Sequence, residues 1–385
     1  MARHAVSRSQ SHEPLKQPVV VGPVLPFRGG IAQHTTMLAR AIRSESGGSV
    51  VSFKRLFPRM LYPGASDRDP EMNTHAEAGT EYLIDSINPV SWQRSVKAIA
   101  RTKPAFVIFP WWTFFLGPCF GYMASALRRR NIDVVFFCHN VSDHEDRAWK
   151  RFIAQIVLRQ GSRFVVHTNA DRQRLQALLP GAEIAVHPHP TYEHFPAPAR
   201  IPPKRAEREL LFYGFVRPYK GLEVLVEALG LLRDESVFLT VAGEFWEGHT
   251  ELSRRAEALG ISRQLEIRPR YHSDAESAEL FARADAVVLP YLSATGSGVI
   301  PLAYRYGCPV IASRVGGIPD VVADGSTGWL VESGNAVALA DAIRRVPVPI
   351  PDEMQRSIAR FCKSLTWQSL AHMIIEPPSD GQQDD

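Results

Sequence analysis

The chain has 385 residues, 45% of them apolar, and its 44 Lys and Arg against 40 Asp and Glu leave a net charge of +4. That length exceeds one ordinary domain and predicts two cores, while so small a charge excess argues against nucleic acid as the main partner. Cys119, Cys138, Cys308 and Cys362 are scattered, with no CxxC pair. Buried free thiols in a reducing compartment are therefore expected, not a disulfide framework or thiolate metal site.

Residues 1–17 are polar and hold no signal-peptide core, so a disordered tail and a cytoplasmic location are expected. From Val19 the run VVVGPVLPFRGGIAQHTTMLARAI reads as a strand (Val19–Gly22), a Gly-Pro turn, the pair Gly29-Gly30 and a helix near 31–43, with Ile31, Met37, Leu38 and Ile42 at helical spacing. The pair is not a GxGxxG fingerprint, which disfavours a dinucleotide enzyme; an ordinary strand-to-helix turn fits it equally. Further strands are expected at Ser49–Phe53, Phe106–Phe109, Val134–Cys138, Arg163–His167 and Ile184–His187, with helices near 91–102, 119–130, 145–160 and 170–178. Such alternation predicts a doubly wound parallel sheet.

The stretch from Phe109 to Leu127 carries no charge. Pro110, Gly117, Pro118 and Gly121 interrupt it, so a strand end, an aromatic loop at 111–115 and a helix ending at Arg128-Arg129-Arg130 is the better parse than a membrane span. Trp111, Trp112, Phe114 and Phe115 lie near Arg94, Lys97, Arg101, Lys103, Arg147, Lys150, Arg151, Arg159 and Arg163 in the sequence. That composition suits peripheral contact with the inner face of a membrane, although core tryptophans and a solvated basic face fit it too.

Prolines at 190, 196, 198, 202 and 203 mark residues 191–208 as a hinge, because proline at that density continues neither helix nor central strand. Beyond it, strands are expected at Leu210–Tyr213, Phe238–Ala242, Leu265–Arg268, Ala286–Leu289, Val310–Ala312 and Gly328–Val331, and a last helical stretch at Glu353–Ile374. Three glycine-bearing turns stand out. YGFVRPYKGLEVLVEAL puts Arg217 and Lys220 in one loop between Gly214 and Gly221, offering diphosphate a guanidinium fork and a mobile ammonium. LPYLSATGSGVIPLAYRYGCPVIAS sets Thr295, Ser297 and Gly298 before a helix start, where N–H groups and the helix dipole suit an anion. VGGIPDVVADGSTGWLV is the third.

Taken in order, GxxRPYKG, VAGE (Val241–Glu244), ADAVVLPY, GxPVIAS and the third turn resemble the nucleotide-sugar-binding half of GT-B glycosyltransferases, specifically the retaining enzymes of family 4. The resemblance implies an α/β fold of two Rossmann-like doubly wound domains facing a central cleft. It implies an acceptor-side domain over 18–190, the hinge, a nucleotide-sugar-binding domain over 209–350, a helix over 351–375 returning to the first domain, and a second tail over 376–385. The reaction implied is transfer of a sugar from a nucleotide-diphosphate donor to a hydroxyl of a glycan or lipid-linked acceptor with retention, without metal or other cofactor. Arg217 and Lys220 would then stabilise the leaving diphosphate, and His139, in HNVSDHE, resembles a family histidine near the donor sugar. It would hydrogen-bond a sugar hydroxyl or support developing charge; a loop histidine capping the next helix fits the same place. His144 and Glu145 are acceptor candidates. Gly29, Gly30, Gly214, Gly221, Thr295, Ser297 and Gly298, with Glu244, Arg270 and Tyr271, are donor-site candidates.

Two departures stand against the pattern. The family's pair of glutamates falls here on Ala294 and Leu302, and its arginine after the first glycine falls on Phe215; Thr295, Ser297 and Glu244 are the candidate substitutes for the missing carboxylates. A nucleotide-sugar epimerase of similar architecture, or a non-catalytic nucleotide-sugar-binding subunit, are the other function classes this sequence admits.

Overall fold

The computed structural model describes residues 17–58, 67–68, 76–141, 148–245 and 248–376. The expected tails lie almost wholly outside the described residues. The first sheet comprises β1 (Val19–Val21), β2 (Ser49–Arg55), β3 (Thr80–Asp85), β4 (Phe106–Trp111), β5 (Asp133–Cys138), β6 (Arg163–Val166) and β7 (Ile184–Val186), in the order β3-β2-β1-β4-β5-β6-β7. Its helices are α1 (Gly30–Ser46), α2 (Pro89–Arg101), α3 (Gly117–Arg128), α4 (Ala148–Leu158) and α5 (Asn169–Leu178). β1, β4 and all of β5 except Asp133 are buried throughout, as parallel strands covered on both faces must be, and this is why they read as unbroken apolar runs.

The second sheet comprises β8 (Arg208–Tyr213), β9 (Val237–Ala242), β10 (Leu265–Arg268), β11 (Ala286–Leu289), β12 (Val310–Ser313) and β13 (Gly328–Val331), in the order β10-β9-β8-β11-β12-β13. Every pairing in it is parallel, with Leu210 of β8 opposite Leu239 of β9 and Ala286 of β11. Around it lie α6 (Leu222–Gly230), α7 (Thr250–Ala258), α8 (Asp274–Arg283), α9 (Val299–Arg305), α10 (Ala336–Arg344) and α11 (Asp352–Ser364), while α12 (Trp367–Ile375) packs on residues 187–192, with Ser369 Oγ 2.9 Å from His187 Nε2. Phe212, Val226, Leu239, Val288 and Ile343 belong to one buried cluster that joins α6 and α10 to the sheet. In both sheets the strand order reverses, at β1 and at β8, and such a switch point opens a crevice at the strands' carboxyl ends.

Three features differ from the sequence expectation. β3 was not foreseen; it is the edge strand beside β2, only partly buried, so its pattern is diluted by solvent-facing positions. The last helix is two, because Thr366 opens α12 with a capping box to Ser369, which ends the preceding turn at Leu365. Trp111 is no loop residue but the buried end of β4, 3% exposed; Trp112, Phe114 and Phe115 are half-buried, against Phe120, Trp149 and Phe57 respectively. The chain divides into compact units of Met1–Phe137 with Trp149–Phe164, and Cys138–Ala148 with Val165–Asp385. The proline-rich segment lies inside the second: Thr191 N–H donates to Leu365 O (3.0 Å) and Trp367 Nε1–H to Thr191 O (2.9 Å), while Lys204 pairs with Asp285.

All four cysteines are free; Cys119, Cys138 and Cys308 are buried and Cys362 is half-buried. Burial pushes all four thiols up, Cys362 to about 11. Among the described residues no helix is long and apolar enough to cross a membrane.

Candidate functional site

At the carboxyl end of β8 the chain leaves the sheet through Gly214, in the left-handed region at φ +98°. Gly214 N–H donates to Ala242 O and Val216 N–H to Glu244 O, each at 2.9 Å, so the loops after β8 and β9 continue side by side beyond their strands. Gly243 makes that approach feasible, since a Cβ there would stand 2.0 Å from Gly214 O. Pro218–Lys220 forms one 3₁₀ turn, closed by Gly221 at φ +66°. A Cβ on Gly221 would meet Pro290 O at 2.0 Å, and Leu292 N–H donates to Tyr219 O at 2.7 Å. The basic loop is thereby stapled to the end of β11 by backbone alone.

That staple holds Lys220 in a buried position, 9% exposed. Its Nζ lies 3.4 Å from the point a Gly214 Cβ would occupy and 5.6 Å from the Tyr291 ring centroid. Desolvation, and after it the charge of Arg217, lowers the Lys220 pKa to about 8. At neutral pH the ammonium therefore stays charged while poorly solvated, a state that an arriving anion relieves. Arg217 itself is exposed at the start of the turn. Tyr291 is buried, its phenol pushed up by desolvation, and its hydroxyl shares a 3.3 Å hydrogen bond with Ser297 Oγ.

The second turn is built against two other loops of the same unit. Thr295 Oγ1 donates to Asn140 Oδ1 (2.8 Å), and Gly317 N–H donates to Thr295 O (3.0 Å). Gly316 adopts φ +54°, with Ala294 O 1.8 Å from where its Cβ would be, and a Cβ on Gly317 would stand 2.1 Å from Thr168 Cγ2. Val299 N–H is taken by Ser297 Oγ at 3.3 Å, so the donors expected at this helix start are fewer than the sequence suggested. Ala294 and Leu302, the positions where the resemblance implies carboxylates, are both buried.

His139 directly follows β5. Its ring lies 5.3 Å from that of His167, which stacks at 4.9 Å on His189, and Tyr192 Oη is 3.1 Å from His189 Nε2. Burial, then the neighbouring His189, lowers His139 to about 3; burial likewise brings His189 to about 4 and His167 well below its ordinary value. The three imidazoles are neutral at physiological pH. As a neutral ring His139 can donate one hydrogen bond and accept another.

The remaining candidates are dispersed. Glu244 is half-buried after β9 and its carbonyl is occupied by Val216. Arg270 and Tyr271 are exposed beyond the edge strand β10, and the Arg270 guanidinium pairs at 2.6 Å with Glu276, a member of the α8 capping box. Gly29 (φ +95°) and Gly30 open α1 in the first unit with nothing within 4 Å of a Cβ at either. His144 and Glu145 lie outside the described residues. Sequence reasoning missed Asn140, Thr168, Gly243, Gly316 and Gly317 as builders of the site. The glycines and Asn140 sat within motifs already noted, whereas Thr168 carries no signal beyond that of a helix cap.

Residues 197–347 match the family model described as Glycosyl transferases group 1. This segment is a glycosyl transferases group 1 domain. The group 1 domain thus holds the loops of Lys220, Thr295 and Gly316, while Asn140 and Thr168 come from outside the matched residues. The chain is 30% identical over 232 residues to a D-inositol 3-phosphate glycosyltransferase of Arthrobacter sp. (strain FB24), covering 56% of this chain and 52% of the relative. It is 30% identical over 238 residues to the enzyme of that name from Mycobacterium tuberculosis (strain ATCC 25177 / H37Ra), covering 57% and 49%. The chain thus spans about half the length of these curated relatives.

Among solved structures, sucrose-phosphate synthase from Thermosynechococcus elongatus superposes with a TM-score of 0.72 at 18% identity, over 93% of this chain and 97% of that one. Anabaena Alr3699/HepE in complex with UDP gives 0.71 at 15% identity, over 93% and 98%. The fold is GT-B: two Rossmann-like parallel-sheet domains, as the resemblance implied.

Proposed function

We propose that this chain is a glycosyltransferase that moves a sugar from a nucleotide-diphosphate donor to an acceptor hydroxyl with retention at the anomeric carbon. The observation that carries the proposal is the buried, still protonated Lys220, fixed by the backbone staple of Gly221 and Leu292 beside Gly214 at the switch point of the second sheet. A desolvated ammonium costs stability unless an anion comes to it, and pyrophosphate bound next to Gly214 is such an anion. The group 1 domain supports the reading, and so do the glycosyltransferase names of relatives matched over about half their length.

In the proposed reaction the bond from the anomeric carbon to the phosphate oxygen breaks as the acceptor oxygen bonds to that carbon on the same face. The acceptor proton passes to the leaving phosphate oxygen. Lys220 and Arg217 neutralise charge that grows on the diphosphate, and neutral His139 hydrogen-bonds a donor-sugar hydroxyl. Buried Ala294 and Leu302 offer no nucleophile, which favours front-face attack over double displacement. The acceptor we propose is a glycan or a lipid-linked precursor, and the chemistry asks for no metal.

The test is nucleoside diphosphate release from a panel of nucleotide-sugars, with and without glycan acceptors. Release that depends on acceptor, and falls about 10²–10³-fold in Lys220→Met, is expected. Sugar conversion with the nucleotide retained would instead identify an epimerase. Donor binding without either product would identify a binding subunit, and unchanged turnover in Lys220→Met would remove the assignment.

A further inference from the structure

α4 is apolar on two faces. Ala154, Val157 and Leu158 are buried, and Ile153 and Val157 receive Gly117 and Gly121 of α3, where a Cβ would come within 2.9 and 3.2 Å of them. The opposite side carries Trp149 (47% exposed), Phe152 (63%) and Ile156 (47%). At about 100° per residue these three fall within about 60° of one another. Phe114 backs this stripe, its ring edge-on to Trp149 at 5.2 Å, with Lys150 Nζ 4.7 Å from the Phe114 centroid. Three large apolar side chains on one solvent-facing stripe mark a contact surface, not chance exposure.

The charge around the stripe says what it contacts. Residues 88–132, which include α2 and α3, contain seven Lys and Arg and no Asp or Glu; residues 148–164, which include α4, contain four and again no acid. Arg94, Lys97 and Arg101 on α2, Arg151 on α4 and Arg159 at its end are exposed; at about 100° per residue Arg159 lies beside Phe152 and Arg151 about 100° round the helix from it. α2 lies against α3 through Trp92 and Tyr122, centroids 6.0 Å apart, so the three helices stand side by side. A whole-chain excess of only +4 is thus reached with acids absent from these two segments.

We propose that the α4 face docks on an anionic lipid surface, with Trp149, Phe152 and Ile156 entering the interface and the basic residues of α2 and α4 meeting lipid headgroups. Apolar insertion joined to headgroup attraction is what holds such helices in the membrane plane. The contact runs through α4 and not through the strand end Trp111. It does not depend on the transfer reaction proposed above, because it is read without donor or acceptor.

The experiment is co-sedimentation of the full chain with vesicles of phosphatidylcholine containing one-third phosphatidylglycerol, or of phosphatidylcholine alone. Binding to the anionic vesicles only, weakened by salt, is expected. The combined Trp149→Ser, Phe152→Ser and Ile156→Ser variant should lower binding about tenfold or more, and Arg151→Gln with Arg159→Gln should lower it severalfold. Should the triple variant melt early, quenching of tryptophan fluorescence by brominated lipid provides the second measurement: it should be strong in the wild type and largely lost in Trp149→Phe. The proposal is overturned if the wild type ignores anionic vesicles, if the triple variant binds as well as the wild type, or if quenching survives Trp149→Phe. A wild-type dimer that the triple variant disperses, with no lipid binding, would give the face to a second copy of the chain and overturn it too.

Discussion

Two glycine turns that look alike in sequence are different objects in structure. At Gly221 a side chain would collide with Pro290 O at 2.0 Å and the backbone is left-handed; at Gly30 a Cβ meets nothing within 4 Å. Gly29 is intermediate, open in space yet at φ +95°. A glycine can thus be demanded by neighbours, by its own torsion, or by neither, and only the first kind welds two loops into one rigid site.

The sharpest way to break this comparison is Gly221→Ala. We expect a loss of about 3 kcal/mol or more in urea unfolding, because both the clash and the torsion must be relieved; a loss no larger than that of Gly30→Ala would refute the distinction. Next is Lys220→Met, expected to stabilise the protein by about 1–3 kcal/mol at pH 7 while depressing turnover. The sign follows from a folded pKa near 8, below the ordinary 10.5. The unfolded chain binds the extra proton between these values, so wild-type stability rises with pH across that window and the advantage of Met fades with it. For the same reason nucleotide affinity should decline as pH rises past about 8, measurable by calorimetry. Gly29→Ala should cost about 1 kcal/mol and Gly30→Ala less than about 0.5. Least of all, the His139 ring proton should hold one NMR shift from about pH 5 to about pH 8, and a titration there would contradict its burial.

The fold was legible because parallel strands buried on both faces must be written in valine, isoleucine and phenylalanine, as β1, β4, β5 and β11 are. The basic loop was legible for a similar reason: Gly214 and Gly221 flank Arg217 and Lys220 within one turn. What stayed hidden depends on distant neighbours. Thr168 enters the site only because Gly317 packs on its methyl group, and Asn140 only because Thr295 donates to it. The edge strand β3 lacks an apolar run, and Trp111 was misread because an aromatic pair after a strand looks the same whether the strand stops before or after its first ring. The solvent-facing apolar stripe of α4 escaped because apolar residues on both faces resemble an ordinary core helix.

The free thiols of Cys119 in α3 and Cys308 just before β12 are both buried, with their pKa values driven up by desolvation. Neither sulfur will be alkylated at mild alkaline pH until the segment around it opens. Mass-resolved labelling kinetics at the two sites would therefore act as a pair of clocks, one for each sheet's packing, that tell whether the two halves of the molecule breathe together or apart.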